Sequence, residues 1–356
     1  MKILITGASG FIGSFIVEEA IRQGFETWAA IRRSSSKDYL QDPRIHFIEL
    51  DLSSESKLVE QLQNCSFDYV VHAAGATKCL NKADFARINT EGTKNLVTAL
   101  RILQMPIQRF VFISSLSIMG AIREKLPYQE ICETDTPQPN TAYGKSKLQA
   151  EQWLDTQKDF PYTILRPTGV YGPREKDYFL QFKSIKGHTD FAVGHQRQDI
   201  TFVYVSDVVQ AVFLALEKGK TGRRYFLSDG EVYQSADFSN LIHEALGRPW
   251  WIRITAPIWL LRIVTTCGEW IGHITGKVTA LNNDKFNILK QRNWRCDITP
   301  AINELGYKPQ VKLEEGVRKS VEWYQAKAPM VATAMRVFSS NTSPCSIPSA
   351  ASRSMS

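Results

Sequence analysis

Cysteine is scarce and scattered in this sequence. The six residues, Cys65, Cys79, Cys132, Cys267, Cys296 and Cys345, include no Cys-x-x-Cys pair, which argues against a zinc site or a disulfide framework. A reducing cytoplasm is therefore the expected compartment. The histidines His188, His195, His243 and His273 also lack a spacing that suggests a metal site. No long apolar run is uninterrupted: the nearest, Ile254 to Ile274, is broken by Arg262, Glu269 and His273, so no transmembrane helix is expected. A net charge of +7 is present without any block of consecutive basic residues, which argues against a nucleic-acid arm. That charge suits phosphate-bearing small molecules or a loose attraction to anionic surfaces. No secretory leader is expected ahead of a first strand that ends in a glycine turn at Gly7. Acidic residues are absent from 330–356, which is rich in Ser, Thr, Ala and Pro and reads as a disordered tail.

The first thirteen residues organise the rest. Met1 to Thr6 reads as a buried strand, Gly7-Ala8-Ser9-Gly10-Phe11-Ile12-Gly13 as a turn, and Ser14 to Gln23 as an amphipathic helix. A glycine-rich turn between a parallel strand and a helix lets a pyrophosphate approach the backbone, where the helix N-terminus offers free N–H groups. The second strand, Thr27 to Ile31, ends in Arg32-Arg33-Ser34-Ser35-Ser36-Lys37, with no acid before Asp38. An acid at this strand end would bind an adenosine 2′-hydroxyl; arginine favours a 2′-phosphate. NADP is therefore the expected cofactor, with NAD the alternative, although a solvated basic loop would read the same way.

Further strands at Ile45–Leu50, Tyr69–His72, Arg109–Ile113 and Tyr162–Leu165 alternate with helices. This predicts an α/β fold with a doubly wound parallel Rossmann sheet and a smaller, mostly C-terminal α/β substrate domain. The expected boundaries are 1–170 for the dinucleotide domain, with 200–220 returning to it, and 171–199 plus 221–329 for the substrate domain. Ligands in such sheets bind beyond the carboxyl ends of the strands. The Gly7–Gly13 turn, Arg32, Asp51, Ala73-Ala74-Gly75 and Ser114 to Ser117 all fall there.

Tyr143 and Lys147, four apart, share a helix face. A tyrosine whose pKa is lowered by a nearby ammonium can exchange a proton with a carbonyl or alcohol oxygen, and Ser115 can hold that oxygen. His72, at the end of a buried strand beside small residues, reads as structural.

These motifs together resemble the extended short-chain dehydrogenases/reductases, the NAD(P)-dependent epimerase/dehydratase superfamily. The matching stretches are Thr6–Gly13, Asp51-Leu52, His72–Gly75, Asn89 with Gly92-Thr93 and Asn95, Ser114-Ser115, Tyr143–Lys147, Arg166-Pro167 with Val170–Pro173, and Val203–Val208. The resemblance implies that Ser115, Tyr143 and Lys147 are catalytic. It implies that Gly7, Ser9, Gly10, Phe11, Ile12, Gly13, Arg32, Asp51, Leu52, Ala73, Ala74, Gly75, Ser114, Tyr143, Lys147 and Pro167 bind the cofactor. By the same analogy a homodimer formed through helices of the dinucleotide domain is expected.

Departures from the subfamilies are informative. The dehydratases carry an acidic pair after the serine or threonine, where this chain has Leu116 and Ser117. The epimerases have asparagine after the sixth strand and an arginine for the substrate diphosphate, where this chain has Thr168 or Gly169 and Ile200, with Arg174 and Arg197 as other candidates. The Arg166–Gly172 loop and the apolar segment around Trp259 are more similar to the hydroxysteroid dehydrogenase and dihydroflavonol reductase branch. The tryptophans Trp250, Trp251, Trp259 and Trp270, with Leu260 and Leu261, are expected in the core of the smaller domain. The other readings are a wall over an apolar substrate or an interfacial helix at a membrane, with Arg253 and Arg262 near headgroups. The expected activity is an NADP-preferring interconversion of ketone and secondary alcohol on a largely apolar small molecule. The alternatives are a nucleotide-sugar epimerase with retained cofactor and a non-catalytic dinucleotide sensor.

Overall fold

The computed structural model describes residues 1–247, 250–275 and 282–340, with only the backbone for His273 and 327–340. The first half alternates strand and helix: β1 (Lys2–Thr6), α1 (Phe11–Arg22), β2 (Glu26–Ile31), β3 (His46–Glu49), α2 (Glu55–Leu62) and β4 (Tyr69–His72). Next come α3 (Ala83–Phe85), a π-helical turn (Ala86–Glu91), α4 (Gly92–Ile102), β5 (Arg109–Ile113), α5 (Ala142–Asp155) and β6 (Tyr162–Pro167). The second half holds β7 (Gly169–Tyr171), α6 (Asp177–Lys186), β8 (Thr189–Val193), β9 (Asp199–Ile200), β10 (Phe202–Tyr204), α7 (Val205–Lys218) and β11 (Arg224–Leu227). It closes with β12 (Tyr233–Gln234), α8 (Asp237–Ala245), β13 (Ile252–Ala256), α9 (Ile258–Thr275), α10 (Asn283–Lys290) and α11 (Leu313–Ser340).

Among the described residues, seven parallel strands form the central sheet in the order β11-β6-β5-β4-β1-β2-β3. The order reverses between β1 and β4, which opens a crevice at their carboxyl ends. Except at the exposed edge strand β3, both faces are buried, so the strands read as apolar runs whose alternate residues serve different cores. Ile3 and Ile5 pack with Ile16, Val17 and Ala20 of α1 and Val212 of α7. Leu4 packs on the other face with Leu58 and Leu62 of α2 and Leu96 and Leu100 of α4. A third core, built from Tyr171, Phe182, Phe202, Phe238, Val317 and Tyr324, holds the smaller lobe together.

The domain expectation needs two amendments. β11 is an edge strand of the central sheet, paired to β6 from Arg224 to Leu227, and Ala301, Leu305 and Tyr307 pack into the core beneath α1 and α7. The chain thus returns to the dinucleotide-binding layer beyond 220, because the edge of β6 needs a partner for its backbone groups. The expected disordered tail begins too early: α11 carries helical backbone through Ser340, while 341–356 lie outside the described residues.

Candidate active site

Gly7 leaves β1 at φ 70°, a left-handed conformation that glycine adopts without strain. A Cβ on Gly13 would lie 2.1 Å from the Gly7 carbonyl oxygen, so α1 runs directly against the turn. Gly10 caps α1 without a side chain, and no acid lies in the first turn. The N–H groups at this helix start are open to an anion. This bare cradle fits a dinucleotide pyrophosphate.

The other expected cofactor residues lie along the same sheet edge. Arg32 follows β2, exposed, its backbone N–H donating to Ser35 Oγ in a tight turn. Asp51 and Leu52 follow β3. Hydrogen bonds from Ser53 and Lys57 hold the Asp51 carboxyl down at about 2, and the Leu52 carbonyl accepts from Asn95 Nδ2 at 2.9 Å. Ala73 to Gly75 follow β4, and Pro167 is the last residue of β6. A Cβ on Gly75 would sit 3.2 Å from Lys147 Nζ, so this loop runs close to that ammonium. Ser114 is the exception: its side chain is buried and its hydroxyl donates to Glu151, away from the crevice.

Tyr143 and Lys147 enter on α5, which Thr141 caps by accepting the Gly144 N–H at 3.0 Å. A Cβ on Gly144 would stand 2.4 Å from the Ser117 carbonyl oxygen. That glycine lets α5 close onto the Ser115–Ser117 turn and brings tyrosine and serine together. Ser115 Oγ accepts the Ser117 N–H at 3.1 Å. Burial pushes the Tyr143 phenol up to about 12, opposed by a hydrogen bond with Ser115. The expected lowering by the Lys147 ammonium is not what this geometry gives. Lys147 Nζ donates instead to the Ile113 carbonyl at 2.8 Å and lies 4.7 Å over the Phe112 ring. Burial lowers Lys147 to about 8, while Glu151 pulls it upward.

Sequence reading missed Glu151. It lies one turn beyond Lys147 and is buried with Arg166, whose Nη2 donates to it at 2.5 Å and whose Nε donates to both oxygens at 3.2 Å. The signal available was the continuing i, i+4 spacing Tyr143, Lys147, Glu151. Asn89 also has a defined job. It accepts the Ala76 N–H at 2.7 Å and donates to Ser146 Oγ at 2.9 Å, tying the Gly75 loop to α5. It does so from the π-helical turn, a local widening that often marks functional sites.

His72 is structural, as expected. Thr93 gives its hydroxyl proton to the Asn89 carbonyl, so His72 Nε2 donates to Thr93 Oγ1 at 3.0 Å and Nδ1 accepts from Thr6 at 2.6 Å. Burial, with Lys147 nearby, drops its pKa to about 3 and keeps the ring neutral.

The candidate diphosphate ligands are otherwise engaged. Arg174 donates to Ser14 Oγ and Glu18, and its guanidinium lies over the Phe15 and Tyr39 rings at 4.0 and 4.6 Å. Arg197 pairs with Asp199 at 2.7 Å. Ile200 pairs with Tyr233 in a short antiparallel ladder. Thr168 and Tyr171 do not line an open pocket: Thr168 bonds Thr201, and Tyr171 is fully buried. Leu116 is core, and no acidic pair follows Ser115. Arg292 is different: it is 6% exposed, its Nη1 donates to the Gln196 carbonyl at 3.3 Å, and its buried Nη2 has no partner.

A doubly wound sheet with a bare phosphate cradle and a serine, tyrosine and lysine at its carboxyl edge defines a nicotinamide-dinucleotide enzyme of the extended short-chain type. The chain belongs to the NAD dependent epimerase/dehydratase family, whose model matches residues 3–228. It is 26% identical to a UDP-glucose 4-epimerase of Vibrio cholerae over 335 residues, covering 90% of this chain and 94% of the relative. It is 24% identical to the decarboxylating sterol-4-alpha-carboxylate 3-dehydrogenase of Saccharomyces cerevisiae over 349 residues, covering 90% and 97%. The solved UDP-glucose 4-epimerase of Thermotoga maritima, with UDP-glucose, superposes with a TM-score of 0.74 at 25% identity, covering 92% of this chain and 100% of that one.

Proposed function

We propose that the protein is an NADP-preferring oxidoreductase that interconverts a ketone and a secondary alcohol on a largely apolar small molecule. The observation that carries this reading is the pairing of Arg174 with Glu18 and of Arg197 with Asp199, together with an apolar Ile200. A substrate diphosphate needs cations or N–H groups to meet its charge. The sterol dehydrogenase among the relatives is named for a substrate with a large apolar body. For the cofactor, Arg32 and Arg33 are exposed at the end of β2 with no acidic partner among the described residues, which supports a 2′-phosphate.

The bound nicotinamide supplies or accepts the hydride. The chain's own residues handle the oxygen. Tyr143, kept as a phenol by burial at neutral pH, gives its proton to the carbonyl oxygen. Ser115 holds that oxygen by a hydrogen bond, and the charged Lys147 stabilises the phenolate left behind. Glu151 keeps Lys147 charged. Oxidation runs through the same groups in reverse. The test is turnover of NADPH and NADH by the full chain with apolar ketones and with nucleotide sugars.

The epimerase reading is favoured by one observation. Arg292 is a buried guanidinium without a carboxylate among the described residues, and a buried charge is costly until paired. A phosphate or carboxylate on the substrate would supply the partner. Retention of cofactor without net turnover, with binding of a UDP-sugar that depends on Arg292, would carry that reading.

A further inference from the structure

The outward face of α9 is its apolar face. Trp259, Leu260, Ile263, Val264, Trp270, Ile271 and Ile274 are all exposed, with Trp259 at 65% and Trp270 at 68%. At 3.6 residues per turn these positions fall on one side of the helix. The face turned to the protein is smaller or polar: Thr265 and Gly272 are buried there with Leu261, and Glu269 reaches Lys82 at 3.0 Å and the Asn283 N–H at 3.1 Å. The core expectation is therefore overturned for Trp250, Trp259, Trp270 and Leu260, which face outward, while Leu261 is buried and Trp251 half-buried. The preceding strand repeats the pattern. Ile252 and Ile254 of β13 and Phe191, opposite Ile254 on β8, are exposed on one face of the ladder.

We propose that α9 seats the protein on the surface of an anionic lipid membrane. Charge complementarity selects this occupant. Between Gly247 and Asp284 the only acid is Glu269, and it is turned inward. Arg262 projects beside the stripe. Lys183 and Lys186 are exposed at the end of α6, just before His188, which stacks on Trp250 at 3.9 Å. Tryptophans on an apolar face with basic neighbours suit the headgroup boundary of a bilayer. No helix among the described residues is long and apolar enough to cross a membrane, so the contact is peripheral. The seat lies close to the chemistry. α10 packs on α9, and Asp284 of α10 accepts the Ala142 N–H, next to Tyr143, at 2.9 Å. The docking stands whichever substrate the enzyme takes.

The test is co-sedimentation of the full chain with vesicles of phosphatidylcholine alone and of phosphatidylcholine with phosphatidylglycerol in equal parts, at low and high salt. The wild-type chain is expected to bind the mixed vesicles, to bind neutral ones less, and to release with salt. The double variant Trp259→Ser/Ile263→Ser removes two exposed side chains. It should keep its circular dichroism spectrum and lose roughly a hundredfold in partitioning, about tenfold per side chain. Absence of vesicle binding at low salt, equal binding to neutral vesicles, or unchanged binding by the double variant would overturn the proposal. So would a soluble dimer that the same variant converts to a monomer while vesicles bind neither form, which would assign the stripe to a second copy of the chain.

Discussion

Lys147 and Glu151, one turn apart on α5, grip consecutive residues at the end of β5. Lys147 Nζ donates to the Ile113 carbonyl at 2.8 Å, and Glu151 accepts the Ser114 hydroxyl. The residue after these two is Ser115. The helix that carries Tyr143 is thereby fixed to the strand end that carries its partner, with Arg166 neutralising Glu151 from behind.

This relationship makes Glu151→Gln informative. Arg166 would be left buried without its carboxylate, a change that typically costs about 3–5 kcal/mol, so the melting temperature should fall. Lys147, now at about 8, would lose the charge that pulls its pKa upward. On the proposed mechanism the ammonium stabilises the phenolate, so turnover should decline as pH rises through about 8 in the wild type and at lower pH in the variant. A pH–rate profile with an unmoved basic limb would contradict this.

Tyr143→Phe removes only the hydroxyl. Loss of a general acid costs roughly 10²–10⁴-fold in rate, while the fold and cofactor affinity should be nearly unchanged by calorimetry. Lys147→Met should reduce both turnover and cofactor affinity, because Nζ lies against the Gly75 loop as well as β5.

Arg32→Asp should weaken NADPH binding far more than NADH binding. A charge-assisted contact contributes roughly 1.5–3 kcal/mol, so a shift of about tenfold or more is expected in the ratio of dissociation constants. Equal affinities in the unmodified protein would count against the 2′-phosphate assignment.

Arg292→Leu separates the two functional readings. Exchanging an unpaired buried guanidinium for an apolar side chain should leave the melting temperature unchanged or raise it. On the apolar-ketone reading turnover is retained. Loss of UDP-sugar binding in this variant would favour the epimerase.

The sequence made the βα alternation legible because parallel strands buried on both faces leave short apolar runs between turn residues, as in Tyr69–His72 and Arg109–Ile113. It also placed Tyr143 and Lys147, since four-residue spacing on a helix fixes a shared face. The π-helical turn at Asn89 was not legible: its apolar neighbours keep a helical period from Phe85 to Leu103, and the widening is a backbone feature of Ala86–Glu91 that side-chain spacing does not signal. The direction of the apolar face of α9 was equally hidden. Periodicity tells which residues share a face, and packing decides whether it points inward. The partnership of Glu151 with Arg166 joins a helix to a strand, and nothing in local spacing pairs them.

The most direct measurement is NADPH oxidation by the purified full chain across a panel of apolar ketones, run beside UDP-sugars and the Tyr143→Phe variant. Net NADPH consumption with an apolar ketone, slower with NADH and lost in Tyr143→Phe, is the predicted result. Interconversion of a UDP-sugar on retained cofactor, with no net NADPH consumption for any ketone, would contradict it.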